Sequence, residues 1–546
     1  MIKGSSKFRD QYSLTLLVAI SVLLFSLSGY VDQIPWHDDK AYLNNALIHS
    51  GRINKEEVLG PYADERPPLF WWILTTLFIL NAPIQSAKFL SPFFGVSLVI
   101  LTYSFTRKLF KSNRQGFYSG LFLVLNAFNL LLTGMVLTDV PGTALSMLFL
   151  FLLYFGVEER RNSYLIISGP ILALSLMMRD QNLILFPIAL FYLLTKLRLN
   201  KYLRVLIAFL GSLSLGIPII AYGMVNTLKT LSNWLTSLII SEAYSIPFTS
   251  VGMSPIFLFS IVTLTFSVYP AIDIYFSDIK KARQLKLFNF FLSVLLFFVT
   301  LYPYLWDNYF LGAKFEIEGK GVLSRLVSHQ IMSETIGVGA NLTVMERRAW
   351  WIFNFVPLIS PPIFLFSIIG LMQMIKKRMY SQLSILTPWL LFTSGFTIFF
   401  TYLEARFLIP SLPAFVIISS KGLVDMVDWI KSKLSDLKKV LGYWINGVKA
   451  IVEVSFVLLS LFIENLVLTE LYLPTKVGSV AIVDLLNKAL SGPKGWFSDY
   501  LTYLEGKLTS PILNLDPIYV LESIACLAFI TLFSLRLMRV NSIRSA

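Results

Sequence analysis

The chain has little charge and few residues that ligate metals or form disulfides. Only 14% of its 546 residues are charged, against about 25% in soluble proteins. A single cysteine, Cys526, permits no internal disulfide and no cysteine-based metal cluster. The three histidines His37, His49 and His329 are too scattered for a site made of histidines alone. These absences argue against a single water-soluble core and against a disulfide framework.

Apolar residues dominate what remains. They make up 55% of the chain, in successive runs that approach the length of a membrane span. This composition predicts an all-α, polytopic transmembrane protein, because only helices and closed barrels satisfy the backbone inside lipid. The net charge of +14 is explained by basic cytoplasmic loops that orient the helices, so no nucleic acid is expected as a partner. No cleavage site follows the first run, from about Tyr12 to Tyr30, which is therefore a retained helix.

The orientation depends on the segment Pro67–Leu80. It has about 14 residues where a span needs about 20, so an interfacial segment is favoured. The run Ser86–Phe105 then leads inward to the basic cluster at 107–111. If Pro67–Leu80 spanned the membrane, this cluster would lie outside and every later loop would invert, against the positive-inside rule.

With this choice the sequence predicts 13–14 spans, as about fourteen apolar runs alternate across the membrane. The later runs include Phe117–Thr133, Asp139–Val157, Val205–Val225, Pro255–Ile272, Trp350–Ile375, Phe407–Ser420 and Ile451–Leu468. The expected location is the cell membrane, with both termini cytoplasmic. We predict a catalytic module over 1–205 with an outer loop at 31–85, and a variable module over 206–430 with an outer loop at 306–350. A C-terminal region over 431–546 has two spans and an outer segment at 470–516.

Charged side chains gather at the outer ends of these spans, where charges are costly and usually functional. They are Asp38, Asp39, Glu65, Arg66, Asp139, Arg179, Asp180, Glu404 and Arg406. Each has a structural alternative. Asp38 or Asp39, and Thr138 or Asp139, can cap a helix, and the Arg179–Asp180 and Glu404–Arg406 pairs can neutralise themselves. Helical spacing also places Asp38, Tyr42, Asn45 and His49 on one face, which suits the wall of a polar cavity.

Four stretches resemble polytopic glycosyltransferases of the GT-C class. Asp38-Asp39 with Tyr42 is similar to an Asp-Glu-x-x-Tyr motif, and Glu65–Trp72 to Glu-Lys-Pro-Pro-Leu-Tyr-Tyr-Trp. Thr138–Pro141 resembles the second acidic motif, and Arg406–Pro413 an Arg-Tyr-Leu-Leu-Pro-x-x-Pro stretch. The likeness is greatest to glycosyltransferase family 39, which includes protein O-mannosyltransferases and aminoarabinose transferases. The Trp-Trp-Asp-Tyr-Gly signature of oligosaccharyltransferases is missing.

The resemblance implies transfer of a sugar, mannose or another hexose or pentose, from a polyprenyl or dolichyl phosphate to a hydroxyl on a protein, lipid or glycan. It implies inversion, with Asp38 as general base and Asp139, with Asp39, assisting. Arg406, with Arg179 or Arg66, would hold the leaving phosphate. Residues expected to line the acceptor cavity are Glu65, Tyr42, His49, Asp180 and Glu404.

One branch of the family binds zinc through an outer glutamate and a histidine. Glu65 could match the glutamate, but no histidine can be placed beside it. No cofactor is therefore predicted, and a divalent metal stays an open alternative without a placed site.

The competing interpretation is a transporter or flippase of a lipid-linked or anionic solute, since many spans and charges at membrane depth fit that class too. It predicts discontinuous helices and an internal repeat, and neither is visible in the sequence. A third interpretation is an inactive scaffold that keeps only the fold.

Overall fold

The structure is a computed structural model that describes residues 4–30, 37–58, 67–159, 161–196, 358–400, 405–441 and 517–543, with isolated residues at 292, 295–297, 300, 301, 351, 355, 356, 502, 503, 507 and 508. These residues form helices and no strand. In chain order the α-helices are α1 (Gly4–Tyr30), α2 (His37–His49), α3 (Pro68–Ile79), α4 (Ala87–Phe110), α5 (Asn113–Leu125), α6 (Ala127–Thr133), α7 (Asp139–Glu158), α8 (Asn162–Met178), α9 (Leu185–Lys196), α10 (Pro361–Lys376), α11 (Tyr380–Phe400), α12 (Leu412–Leu441) and α13 (Pro517–Ile543).

The predicted all-α membrane fold is confirmed. Among the described residues, three helical stretches are long and apolar enough to cross a membrane: Ile84–Phe110, Asp139–Glu158 and Arg406–Ile430. A fourth span results if the bent pair α5 and α6 is one element. The predicted total of 13–14 spans stays a prediction, because the runs Val205–Val225, Pro255–Ile272 and Ile451–Leu468 lie outside the described residues. So does most of the outer segment at 470–516, and the three-region division is likewise untested.

Helix α7 lies at the centre of the described bundle. Every residue from Asp139 to Gly156 is buried, as expected for a helix that is apolar all round. It packs against α4, α8 and the 3-10 helix Ala405–Ser411. The start of α7 is therefore surrounded by protein, and the charged side chain of Asp139 needs a partner there.

The predicted run Phe117–Thr133 is not one continuous helix, although no discontinuity is visible in the sequence. It breaks at Asn126 into α5 and α6, which are inclined by 64°. The Asn126 side chain accepts from the backbone N–H of Asn129 (2.9 Å), and Asn129 donates to the carbonyl of Leu123 (2.9 Å). These bonds replace backbone partners that a continuous helix would supply.

Helix α3 has 12 residues, a length of about 18 Å that cannot cross a hydrocarbon core about 30 Å thick. Ten of its residues are buried, including Trp71 and Trp72. The helix packs against α2, α8 and α13, and its short length agrees with the predicted interfacial segment. Arg52 donates a hydrogen bond to the carbonyl of Phe78 (2.7 Å) and so holds the C-terminal end of α3. Burial lowers the pKa of the Arg52 guanidinium.

Two late helices differ from their predicted limits. The predicted run Trp350–Ile375 contains a break at Ser360 (φ 89°), after which α10 begins with two prolines. The run Phe407–Ser420 begins as the 3-10 helix Ala405–Ser411 and continues as α12 to Leu441. With 30 residues, α12 is about 45 Å long and exceeds the membrane core.

Helices α10 and α12 cross in close contact at two glycines. A Cβ atom on Gly422 would overlap the carbonyl oxygen of Phe366, and one on Gly370 would overlap that of Ile418. Small residues permit this approach, which is a common way of packing membrane helices. The Ser419 hydroxyl also donates to the carbonyl of Ile363 across the interface. The end of Ala405–Ser411 is thereby attached to a rigid helix pair.

Candidate active site

Asp38 and Asp39 lie in the first turn of α2, and both are buried. The helix already begins at His37, so neither aspartate occupies the capping position that the sequence left open. A helix N-terminus carries partial positive charge and stabilises carboxylates placed there. The start of α2 thus places its partial positive charge beside two buried carboxyl groups.

The carboxylate of Asp38 forms an ion pair with the guanidinium of Arg406. The Oδ2 and Nη1 atoms are 2.7 Å apart, and the two side chains are 8% and 12% exposed. Arg406 belongs to the 3-10 helix Ala405–Ser411, which is held against α11 by two hydrogen bonds. Thr397 Oγ1 donates to the carbonyl of Phe407, and Trp389 Nε1 donates to that of Pro410, both at 2.9 Å. The arginine backbone is therefore fixed by a neighbouring helix.

A second ion pair joins the start of α7 to the end of α8. Asp139 Oδ1 lies 2.8 Å from Arg179 Nη1, and the side chains are 2% and 6% exposed. Asp139 is the first residue of α7, and Thr138 precedes it without a side-chain capping bond. Arg179 adopts an extended backbone (φ −157°, ψ 119°) directly after α8. This change of direction turns its side chain towards α7.

Asn182 supports the site, although none of the sequence motifs includes it. Its buried amide donates to the carbonyls of Gly142 (3.2 Å) and Ser175 (2.9 Å) and to Ser175 Oγ (2.8 Å). A Cβ atom on Gly142 would approach Arg179 Cβ to 3.0 Å. Asn182 and Gly142 therefore hold α8 close enough to α7 for the ion pair to form. The spacing of Asn182 three residues after Arg179 was the available signal.

The two ion pairs meet at the ring of Phe407. The guanidinium carbon of Arg179 is 5.5 Å from the ring centroid, and that of Arg406 is 5.3 Å away. Tyr42 adds a link between α2 and α7, because its hydroxyl is 3.5 Å from Thr138 Oγ1. The structure thus brings two acid–arginine pairs from four separate segments into one buried site.

The structure describes two of the remaining predicted site residues, His49 and Asp180. His49 stacks on Trp71, with ring centroids 4.5 Å apart. Asp180 follows Arg179 at the start of the 3-10 helix Asp180–Ile184 and is buried. Glu65, Arg66 and Glu404 lie outside the described residues. Among the described residues, no three His, Cys, Asp or Glu side chains are grouped so that they could hold a metal ion.

The buried charges of this site require each other. Removing a carboxylate or guanidinium from water costs several kcal/mol (about 3–5 when one partner of a pair is removed), and only a close opposite charge offsets it. Guanidinium groups present five N–H donors, so an arginine can hold a carboxylate and still donate to a phosphate. Two guanidinium groups at one site are therefore suited to an anionic ligand.

Part of the chain matches a known protein family. Residues 65–222 match the family model for dolichyl-phosphate-mannose-protein mannosyltransferase. The predicted resemblance is confirmed. This GT-C match includes Asp139, Arg179 and Asp180, while Asp38 and Arg406 lie outside it. No curated protein matches the chain at a significant level.

Two glycosyltransferases are among the solved structures that align with the chain. An oligosaccharyltransferase of Archaeoglobus fulgidus, crystallised with Zn and sulfate, has a TM-score of 0.42 and 14% identity over 92% of this chain. The chain spans 58% of that protein. ArnT from Cupriavidus metallidurans, bound to undecaprenyl phosphate, has a TM-score of 0.44 and 13% identity, covering 97% of this chain and 77% of its own.

Proposed function

We propose that this protein is an integral membrane glycosyltransferase. It moves a sugar from a polyprenyl or dolichyl phosphate to a hydroxyl group on the outer side of the membrane. The observation that carries the proposal is the meeting of the ion pairs Asp38–Arg406 and Asp139–Arg179 at one ring. The family match supports mannose on dolichyl phosphate, with a protein acceptor, as the first substrates to test.

In the proposed reaction Asp38 takes the proton of the acceptor hydroxyl. The hydroxyl oxygen attacks the anomeric carbon as the bond from that carbon to the phosphate oxygen breaks, so the configuration inverts. Charge grows on the departing lipid phosphate, and fixed cations that face it lower the barrier. Arg406 and Arg179 supply these cations, with Arg66 as a further candidate. Asp139 holds Arg179 in place and assists in orienting the acceptor.

Replacing the base tests the proposal directly. We expect Asp38→Asn to lower the rate of sugar transfer in isolated membranes by about 100- to 10,000-fold, the usual contribution of a positioned base. Asp428→Asn is the matched control, because Asp428 forms an exposed ion pair with Arg114 (2.9 Å) elsewhere. Near-normal transfer by Asp38→Asn, in protein that is present in normal amount, would refute the assignment of the base.

The transporter interpretation gains one observation, the break between α5 and α6. Transporters place substrate or ion sites at such discontinuous helices. Here the polar side chains of the break, Asn126 and Asn129, are neutral and bond to neighbouring backbone. The charged site lies elsewhere, at the start of α7, which favours the enzyme. Uptake of a lipid-linked sugar into proteoliposomes without any sugar transfer would instead support the transporter.

A further inference from the structure

Phe407 has no role in the proposed chemistry, yet its ring lies against both arginines of the site. The two guanidinium carbons are 5.5 Å (Arg179) and 5.3 Å (Arg406) from the ring centroid. Cations within about 6 Å of an aromatic ring are attracted by its face, and the attraction increases where water is excluded. One ring thus contacts the arginine of each ion pair.

The ring is held on a fixed backbone. The carbonyl of Phe407 accepts a hydrogen bond from the hydroxyl of Thr397 (2.9 Å). The carbonyl of Pro410 accepts one from the indole N–H of Trp389 (2.9 Å). Leu408 and Ile409, the next residues, are buried. The side chain of Phe407 itself is only partly buried. Its position is therefore set by α11, and its size is not needed to fill the core.

We propose that Phe407 is a positioning residue that holds Arg179 and Arg406 at a separation where one donor phosphate contacts both. This inference rests on the proposed function, because it assigns the two arginines to the phosphate. Without the ring, each arginine keeps its own carboxylate, but the two pairs are no longer held together. Donor binding is then weakened, because the phosphate contacts both arginines before the bond to the sugar breaks. The chemical step slows by less, because each arginine still reaches the leaving phosphate through its own ion pair and Asp38 is unchanged.

The test compares three variants in two measurements. Phe407→Leu removes the aromatic face, Phe407→Tyr keeps it, and Phe392→Leu removes a partly buried aromatic ring that packs on Phe191 of α9. The first measurement is the Kd for undecaprenyl phosphate. The second is the steady-state kinetics of transfer, which gives kcat and the KM for the lipid-linked sugar. We expect Phe407→Leu to raise Kd and KM about tenfold, because both cation–π interactions of the ring are removed. The kcat should stay within about threefold, which is a small change for the removal of one interaction.

The conservative variant separates positioning from packing. Phe407→Tyr should bind the lipid phosphate as the unchanged protein does, and Phe392→Leu should do the same. If Phe407→Leu binds normally, or if Phe407→Tyr is as weak as Phe407→Leu, the proposal is overturned. Melting temperatures are recorded for each variant, and Phe407→Met, with a similar volume and no ring, replaces the leucine variant if that protein unfolds.

The two proposals fail in different ways. A protein that binds undecaprenyl phosphate but transfers no sugar from any lipid-linked donor would overturn the proposed function. The role of Phe407 would then be decided by the Kd values alone. A protein that transfers sugar, with a donor KM unaffected by Phe407→Leu, would overturn the role of Phe407 and leave the proposed function in place.

Discussion

Asp139 and Arg179 form the more deeply buried of the two acid–arginine pairs, with side chains 2% and 6% exposed. Water is excluded from both groups, so neither can be rehydrated when its partner is removed. The strength of such a pair lies mainly in the cost of breaking it. This gives the pair a structural role that can be measured independently of sugar transfer.

We expect Asp139→Asn to lower the free energy of unfolding by about 3–5 kcal/mol, the usual cost of removing one partner of a buried ion pair. The double variant Asp139→Asn with Arg179→Gln should recover part of this loss. Thermal unfolding in detergent measures both. Arg114→Gln serves as the control, since its exposed pair with Asp428 contributes at most about 1 kcal/mol. A double variant less stable than Asp139→Asn would contradict this account of the pair.

At the scale of elements, the crossing of α10 and α12 depends on two glycines. Gly422 contacts the backbone of α10 so closely that an added Cβ would overlap the carbonyl oxygen of Phe366. A Cβ atom added to Gly395, in α11, would have no neighbouring atom within 4 Å. Gly422 and Gly395 therefore form a matched pair for substitution.

Gly422→Ala should destabilise the protein by about 1–3 kcal/mol, the usual effect of overpacking. Gly395→Ala should be neutral or stabilising by up to about 1 kcal/mol, because alanine favours a helix over glycine. Melting temperatures of the two variants test the contrast. Equal melting temperatures would mean that the helices can separate at no cost.

Sequence patterns predicted most helices but not their irregularities. The run Asp139–Val157 was predicted, and α7 is found at Asp139–Glu158, because its apolar residues are continuous and Pro141 marks its start. The break at Asn126 was missed. An asparagine inside an apolar run is compatible with a straight span, and only its bonds to neighbouring backbone show that it ends one helix and caps the next.

At the scale of the whole molecule, the sidedness of the site can be tested by a labelling experiment. The native Cys526 is fully buried, so its reaction with a water-soluble maleimide should be slow. We expect Glu56→Cys, at an exposed position after α2, to be labelled from outside intact cells. Lys376→Cys, at the exposed end of α10, should be labelled only after the membrane is permeabilised.

This expectation follows from the basic clusters, which lie on the cytoplasmic side of most membrane proteins. The short, enclosed α3 supports the same orientation, because a helix of 12 residues leaves α2 and the start of α4 on one side. Labelling of Lys376→Cys in intact cells, with protection of Glu56→Cys, would invert the topology and the proposed side of the site.

The sequence by itself determined the membrane class, the helical content and the residue types of the site. Those properties depend on composition and local spacing, which act over a few residues. It also provided the resemblance that the family match confirms over residues 65–222.

Only the tertiary structure decided which acid meets which arginine. Asp38, Asp139, Arg179 and Arg406 lie in four segments, and no local pattern distinguishes the pairs Asp38–Arg406 and Asp139–Arg179 from the alternative pairing or from self-neutralised neighbours such as Arg179–Asp180. The pairing follows from close packing that brings segments together: the break after α8, the Asn182 bonds to α7, and the 3-10 helix held on α11. A buried charge takes the partner that this packing places within reach, because water cannot solvate it there.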